Sequence, residues 1–362
     1  MIRRICFYLS DHGFGHIARS IPIIAKTVNY DDVHVCIVCG ERQLAFAKDN
    51  LGELLTENLY NRVSFRVMYT DVGLILKAGT LLPDVEGLTK ACEDFLEKLP
   101  MRVKCEVAWL QKEQVDAAFC DMPIWAILAC KRANVPMLYA GNFTWAEIYR
   151  GLLPHDIFAT YARCYEQIEY AILYALHNDE MLQFLPNAEK TEVSVVARPV
   201  HFNVVADIRQ KHTRPIIFVA LGMSAQFQVP VDVSDVPYDF YATEGVPLLG
   251  EHVTVIPAST TNTQDYIAAA DFIISKAGWS TVAECLLAKK PMALFERDSV
   301  IEDKATIQKL QQIQLAIRIQ QNDLMDIQNI IKRLNSLHTY GFTMFSDSSE
   351  VISRRMISLL DN

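Results

Sequence analysis

No apolar run in this chain of 362 residues reaches the roughly 18 residues that a membrane-spanning helix needs. No transmembrane segment is expected, though peripheral membrane contact stays open. The short apolar stretch at 5–9 runs directly into Ser10-Asp11-His12-Gly13, which suits a buried first strand better than a signal sequence. Positive charge is also scarce: the formal net charge is −9, which argues against a general nucleic-acid binder. The nine cysteines are odd in number and lack framework spacing, so reduced thiols and a cytoplasmic location are expected. Cys36 and Cys39 form a C-x-x-C, but inside a strand these positions face opposite sides, and no second Cys/His pair accompanies them. Buried packing is the expectation there. Low-complexity tracts and short internal repeats are missing as well.

What remains is a soluble globular composition, 51% hydrophobic and 21% charged, at a length that suits two domains. Apolar runs alternate with helical patterns. Strands are expected at 5–9, 33–38, 63–68, 117–120 and 137–140, and helices at 17–27, 88–111 and 124–132. A strand at 193–196 precedes Arg198-Pro199 and a polar stretch, so the domain boundary is placed near 198–213. New strands are expected at 216–221, 238–242, 253–256, 272–275 and 292–295. The predicted fold class is α/β: two doubly wound, Rossmann-like domains facing across a cleft, with parallel sheets covered on both faces. The N-terminal domain spans 1–200 and the C-terminal domain 213–346. A closing helix lies in 347–362, placed to pack back on the N-terminal domain.

The most informative segment is Ser275-Lys276-Ala277-Gly278-Trp279-Ser280-Thr281-Val282-Ala283-Glu284. It follows an apolar strand, turns on a glycine and opens a helix whose second turn carries a carboxylate. Free N–H groups at the helix start attract phosphate, and Glu284 can accept hydrogen bonds from sugar hydroxyls. That geometry suits a nucleotide diphosphate carrying a sugar. Ligands in such sheets bind at the carboxyl ends of strands. By that rule Ser10-Asp11-His12-Gly13-Phe14-Gly15-His16 and Gly222-Met223-Ser224 face the same place.

These residues carry a resemblance. Gly13-Phe14-Gly15-His16-Ile17 looks like the glycine–histidine loop of the two-domain GT-B glycosyltransferases, and the stretch from Asp271 to Pro291 looks like their donor-binding motif. More narrowly, the chain resembles the glycosyltransferase-like N-terminal half of plant L-arabinokinase and its stand-alone bacterial relatives. Asp11 to Arg19, Gly141-Asn142-Phe143-Thr144-Trp145, Ile267 to Glu284, Arg297-Asp298 and Glu302-Asp303 carry that narrower likeness. No phosphate loop of the kinase half is found, nor G-x-x-x-x-G-K-[ST], so sugar phosphorylation is not expected.

The resemblance implies roles. His16 is the candidate general base for an acceptor hydroxyl; the alternative is that it caps or orients its helix. Asp11 would orient that base or bind substrate, with His12 as a rival and Gly13 and Gly15 giving clearance. Arg19 would meet phosphate or form a surface salt bridge. Gly222, Ser224, Gly278, Trp279, Ser280 and Thr281 would hold the diphosphate, and Glu284 the ribose. Arg297, Glu302 and Asp303 belong to the donor side, where many relatives place Asp/Glu-Gln followed by Asn-Ala; here Thr306-Ile307 stand in the second place. Asp121 and Asn142 are acceptor-side candidates, as are Phe143 and Trp145, for which core packing is the default.

No isolated D-x-D stands out, and Asp232-Val233-Ser234-Asp235 has the wrong spacing, so neither metal nor cofactor is expected. The reading is metal-independent glycosyl transfer from a nucleotide-diphosphate sugar to an unidentified acceptor. A nucleotide-sugar epimerase and a non-catalytic sugar-nucleotide sensor are the alternatives.

Overall fold

The computed structural model describes residues 2–77, 80, 82–221, 230–296 and 300–361. The chain divides into two compact units, one of Met1–Ile75, Pro83–Val196 and Asp347–Asn362, the other of Leu76–Leu82 and Ala197–Ser346. All nine cysteines are free thiols. No helix among the described residues is long and apolar enough to cross a membrane.

The first unit is built on β1 (Arg3–Leu9), β2 (Val33–Cys39), β3 (Val63–Val67), β4 (Ala117–Asp121), β5 (Met137–Gly141), β6 (Tyr170–Tyr174) and β7 (Glu189–Val193). They form one sheet in the order β3-β2-β1-β4-β5-β6-β7, parallel throughout. Strands β4 and β5 are buried at every position, as inner strands covered by helices on both faces must be.

The second unit contains β8 (Ile216–Ala220), β9 (Val231–Asp232), β10 (Asp239–Thr243), β11 (Leu248–Leu249), β12 (Val253–Ile256), β13 (Phe272–Lys276), β14 (Met292–Phe295) and β15 (Ala316–Ile319). Its main sheet is also parallel, in the order β12-β10-β8-β13-β14-β15. The short strands β9 and β11 pair with each other. Ile217, Val219, Phe240, Ala242 and Ile274 pack there against Ile330, Ile331 and Leu334 of the helix Ile327–Asn335. Each fully buried valine, leucine, isoleucine or phenylalanine among them contributes about 1.5–3 kcal/mol.

Both sheets are doubly wound, and each reverses its strand order at one point: between β1 and β4, and between β8 and β13. The chain leaves those paired strands toward opposite faces, which opens a crevice above their carboxyl ends. The residues leaving β1 and β4 are Ser10 onward and Met122 onward. Those leaving β13 begin at Ala277.

The structure departs from the sequence expectation in several elements. Helix 88–111 is two helices, Val85–Glu97 and Leu99–Lys112, with Pro100 in the first turn of the second, where a missing N–H costs nothing. The strand placed at 193–196 is β7, Glu189–Val193; its charged residues Glu189, Lys190 and Glu192 are those of an exposed sheet edge and break the apolar pattern. Strands β6, β9, β11 and β15 had no counterpart in the sequence reading. The stretch 198–213 holds the helix Phe202–Gln210. The last helix, Ser349–Ser358, packs on Gly15–Val28, where Thr27 Oγ1 donates to Ser353 Oγ at 3.1 Å.

Candidate functional site

In the first unit, four buried polar side chains meet at the point where the strand order reverses. His16 and Arg19 lie three residues apart on the helix Gly15–Val28 and therefore share a face. That face meets Asp121 at the end of β4 and Asn142 just beyond β5. Asp121 Oδ1 lies 2.8 Å from His16 Nδ1. Arg19 grips the same carboxylate with a fork, Nε to Oδ2 at 2.7 Å and Nη2 to Oδ1 at 2.6 Å, and its Nη1 donates to Asn142 Oδ1 at 2.6 Å. The guanidinium carbon sits 5.0 Å from the Tyr174 ring centroid.

Chemistry fixes the histidine tautomer. An ionised carboxylate only accepts, so the 2.8 Å contact places the proton on Nδ1. Nε2 then keeps its lone pair and can take a proton. Arg19 Nη2 lies 3.0 Å from Nδ1 and donates one of its two protons to Asp121 Oδ1 at 2.6 Å. Burial resists the charge on Asp121, but Arg19 and His16 outweigh it and hold the carboxyl below the usual carboxylate range. His16 is 6% exposed, against 0% for Asp121, so the imidazole is the member of the pair that reaches solvent.

Two sequence expectations are corrected here. The carboxylate of Asp11 accepts from the N–H groups of Thr70 at 3.1 Å and Asp71 at 3.4 Å; Asp121 takes the place beside the His16 ring. The chain leaves β1 pointing Asp11 toward the segment after β3, while the helix that follows turns His16 back over β4. Arg19 is neither a surface salt bridge nor an open phosphate ligand, because it is buried against Asp121.

The glycine loop is held from outside. Gly13 has φ +72°, a left-handed conformation that favours glycine, while a Cβ there would meet nothing within 4 Å. Gln43 Nε2 donates to the carbonyls of Asp11 at 2.7 Å and Gly13 at 2.9 Å. Gly15 is the first residue of the helix. The His12 ring packs edge-on to Trp145, with ring centroids 5.4 Å apart. Trp145 and Phe143 are themselves buried, and Trp145 Nε1 donates to Asp71 Oδ2 at 2.8 Å. Core packing, the default for these two aromatics, is where the structure places them. Burial and the neighbouring Asp11 push the Asp71 carboxyl well above its ordinary value.

In the second unit, Gly278 caps the helix Trp279–Leu287 in an extended conformation, φ −66° and ψ 123°, which any residue can adopt. Its carbonyl accepts from Val282 N at 3.0 Å, and the N–H groups of the first turn point beyond the carboxyl end of β13. Ser280 and Thr281 are half-buried in that turn, and Trp279 is buried. Lys276, passed over in the sequence reading, runs beside Gly278: its Cε lies 3.6 Å from where a Cβ on that glycine would stand.

Glu284 follows one turn later, but it is not an open carboxylate. Its Oε1 accepts from Arg198 Nε at 2.8 Å, and both side chains are buried. Sequence reasoning had used Arg198 only as a marker of the domain boundary. Glu302 and Asp303 occupy the first turn of the helix Ile301–Gln312, after β14, at the same sheet edge as Gly278. Asp303 is fully buried, which leaves Glu302 as the one of the two with surface to offer. Gly222, Ser224, Arg297 and Asp298 lie outside the described residues.

Residues 217–358 match the family model of the glycosyltransferase family 28 C-terminal domain. This stretch of the chain is similar to family 28 glycosyltransferase C-terminal domains. The fold of the whole is GT-B. A UGT2 from Phytolacca americana, solved with UDP-2-fluoro-glucose and pterostilbene, aligns over 99% of this chain and 100% of its own, with TM-score 0.68 at 11% identity. Arabidopsis thaliana UGT89C1 with UDP-L-rhamnose aligns over 100% and 98%, with TM-score 0.66 at 10% identity. The glycosyltransferase SnogD from Streptomyces nogalater aligns over 99% and 100%, with TM-score 0.60 at 16% identity. In sequence, the chain is similar to L-arabinokinase of Arabidopsis thaliana, 23% identical over 346 residues. That match covers 88% of this GT-B chain and 30% of the longer relative.

Proposed function

We propose that this GT-B chain transfers a sugar from a nucleotide-diphosphate sugar to an acceptor hydroxyl. The observation that carries the reading is the His16–Asp121 pair at the carboxyl edge of the first sheet. His16 Nε2 takes the hydroxyl proton as the acceptor oxygen forms its bond to the anomeric carbon. The bond from that carbon to the diphosphate oxygen breaks, and the nucleoside diphosphate leaves with the electron pair. Asp121 keeps the imidazole in the right tautomer and balances the charge it gains. Such a single displacement inverts the anomeric centre.

The helix start at Gly278, with the Lys276 stem alongside, suits the leaving diphosphate, because the backbone N–H groups of a helix start meet developing negative charge. The domain family and the UDP-sugars bound by UGT2 and UGT89C1 support this donor class and make uridine the first base to try. Glu284→Ala is expected to weaken nucleoside-diphosphate binding by about 10- to 100-fold in calorimetry, the loss of one hydrogen bond to a charged group. Unchanged affinity overturns the donor assignment.

Because protein donors meet the diphosphate charge, turnover is expected to survive excess EDTA. Activity abolished by the chelator and restored by magnesium refutes metal independence. A non-catalytic sugar-nucleotide sensor is the second reading, favoured by the burial of Asp303 where relatives grip the donor sugar. It requires saturable binding without product.

A further inference from the structure

The geometry points to Arg198 as a positioning residue for the donor: it holds one oxygen of Glu284 and reserves the other for a ribose hydroxyl. This rests on the nucleotide-sugar reading above and adds the residue that makes the carboxylate selective.

The guanidinium is fixed on three sides. Nε donates to Glu284 Oε1 at 2.8 Å, Nη2 donates to Thr263 Oγ1 at 3.0 Å, and Nη1 donates to the Thr261 carbonyl. Thr261 and Thr263 flank the start of the helix Thr263–Ala269. The segment carrying Arg198 is tied to that helix a second time. His201 N donates to Asp265 Oδ1 at 2.8 Å, and His201 Nδ1 lies 3.0 Å from Asp265 Oδ2. Asp265 is fully buried, so this anchor does not depend on solvent.

Glu284 Oε2 is left over. Among the described residues it has no hydrogen-bond partner, yet it is not one of the side-chain oxygens sealed from solvent. A planar fork already fixed by two other acceptors loses little further freedom in holding the carboxylate, so Oε2 is pre-set as an acceptor. The ion pair has a second consequence. Glu284 lies one helical turn past the N–H groups that suit the diphosphate, and two like charges at that spacing repel. Arg198 cancels the carboxylate charge without occupying the oxygen that a hydroxyl needs. Together these select a ribonucleoside diphosphate over its deoxy counterpart.

The test is calorimetry with UDP, GDP and ADP, followed by the 2′-deoxy and 3′-deoxy forms of whichever binds. The wild type should prefer the ribonucleotide by about 10- to 100-fold over at least one deoxy form. Arg198→Met should lose a similar factor and the preference with it, while Arg198→Lys, which keeps charge without the fork, recovers part of the affinity. In a Glu284→Gln background, Arg198→Met should cost less than twofold, because the arginine acts through that carboxylate. This second comparison also serves if Arg198→Met alone is too unstable to purify, since the double variant leaves no buried charge unpaired. Equal losses in both backgrounds, or an Arg198→Met protein that keeps wild-type affinity and preference, overturn the positioning role. A wild type that binds none of the three nucleotides overturns instead the nucleotide-sugar reading, and this proposal with it.

Discussion

His16→Ala is expected to lower glycosyl transfer by about 100- to 10,000-fold, the usual contribution of a positioned general base. Nucleoside-diphosphate affinity should stay at the wild-type value, because the residues proposed to hold the donor belong to the other unit of the fold. The measurement is an initial rate with a labelled nucleotide sugar, paired with calorimetry on the same preparation. A variant that turns over at the wild-type rate removes His16 from the chemistry and leaves it the lesser role of orienting its helix. The His16 side chain is nearly buried but accepts no other burden, since only Nδ1 is engaged by the carboxylate. Its truncation should therefore affect rate far more than stability.

Asp121→Asn is expected to damage both. An amide can offer its N–H to the imidazole or the guanidinium where each needs an acceptor, so the tautomer that leaves Nε2 free is no longer enforced. Turnover should fall by about 100- to 10,000-fold. Stability should fall by about 3–5 kcal/mol, because Arg19 is buried and loses its counter-charge. The pH dependence carries a defined sign. The carboxyl of Asp121 is held below its unfolded value, so its stabilisation is fully present above about pH 4 and is lost as pH falls through the lower folded value. Urea titrations across that window should show an acid-side loss in the wild type that the amide variant lacks. A variant with wild-type stability and rate would mean that the cluster neither holds the fold nor sets the base.

Much of the fold was legible because parallel strands covered on both faces must be apolar at nearly every position. Ala117–Asp121 and Met137–Gly141 are short apolar runs for that reason, and both stood out. Edge strands obey a different rule. Glu189–Val193 carries charge to keep its open edge from pairing with other chains, so its pattern does not announce a strand. The helix pair Val85–Glu97 and Leu99–Lys112 was merged because a proline in a helix's first turn breaks nothing locally.

The candidate site divides in the same way. The sequence by itself determined the residues that sit in continuous motifs: the glycine loop ending at His16, and the turn Gly278 to Glu284 that opens a helix after a strand. Their chemistry follows from local geometry, since a strand end, a glycine and a helix start need no distant partner. Only the tertiary structure decided who stands beside them. Asp121 rather than Asp11 faces the imidazole, Arg19 is buried instead of exposed, and Arg198 reaches Glu284 across a sequence separation of 86 residues. Those pairings are set where strand order reverses and by how the chain packs against its helices, and no local pattern of residues encodes either.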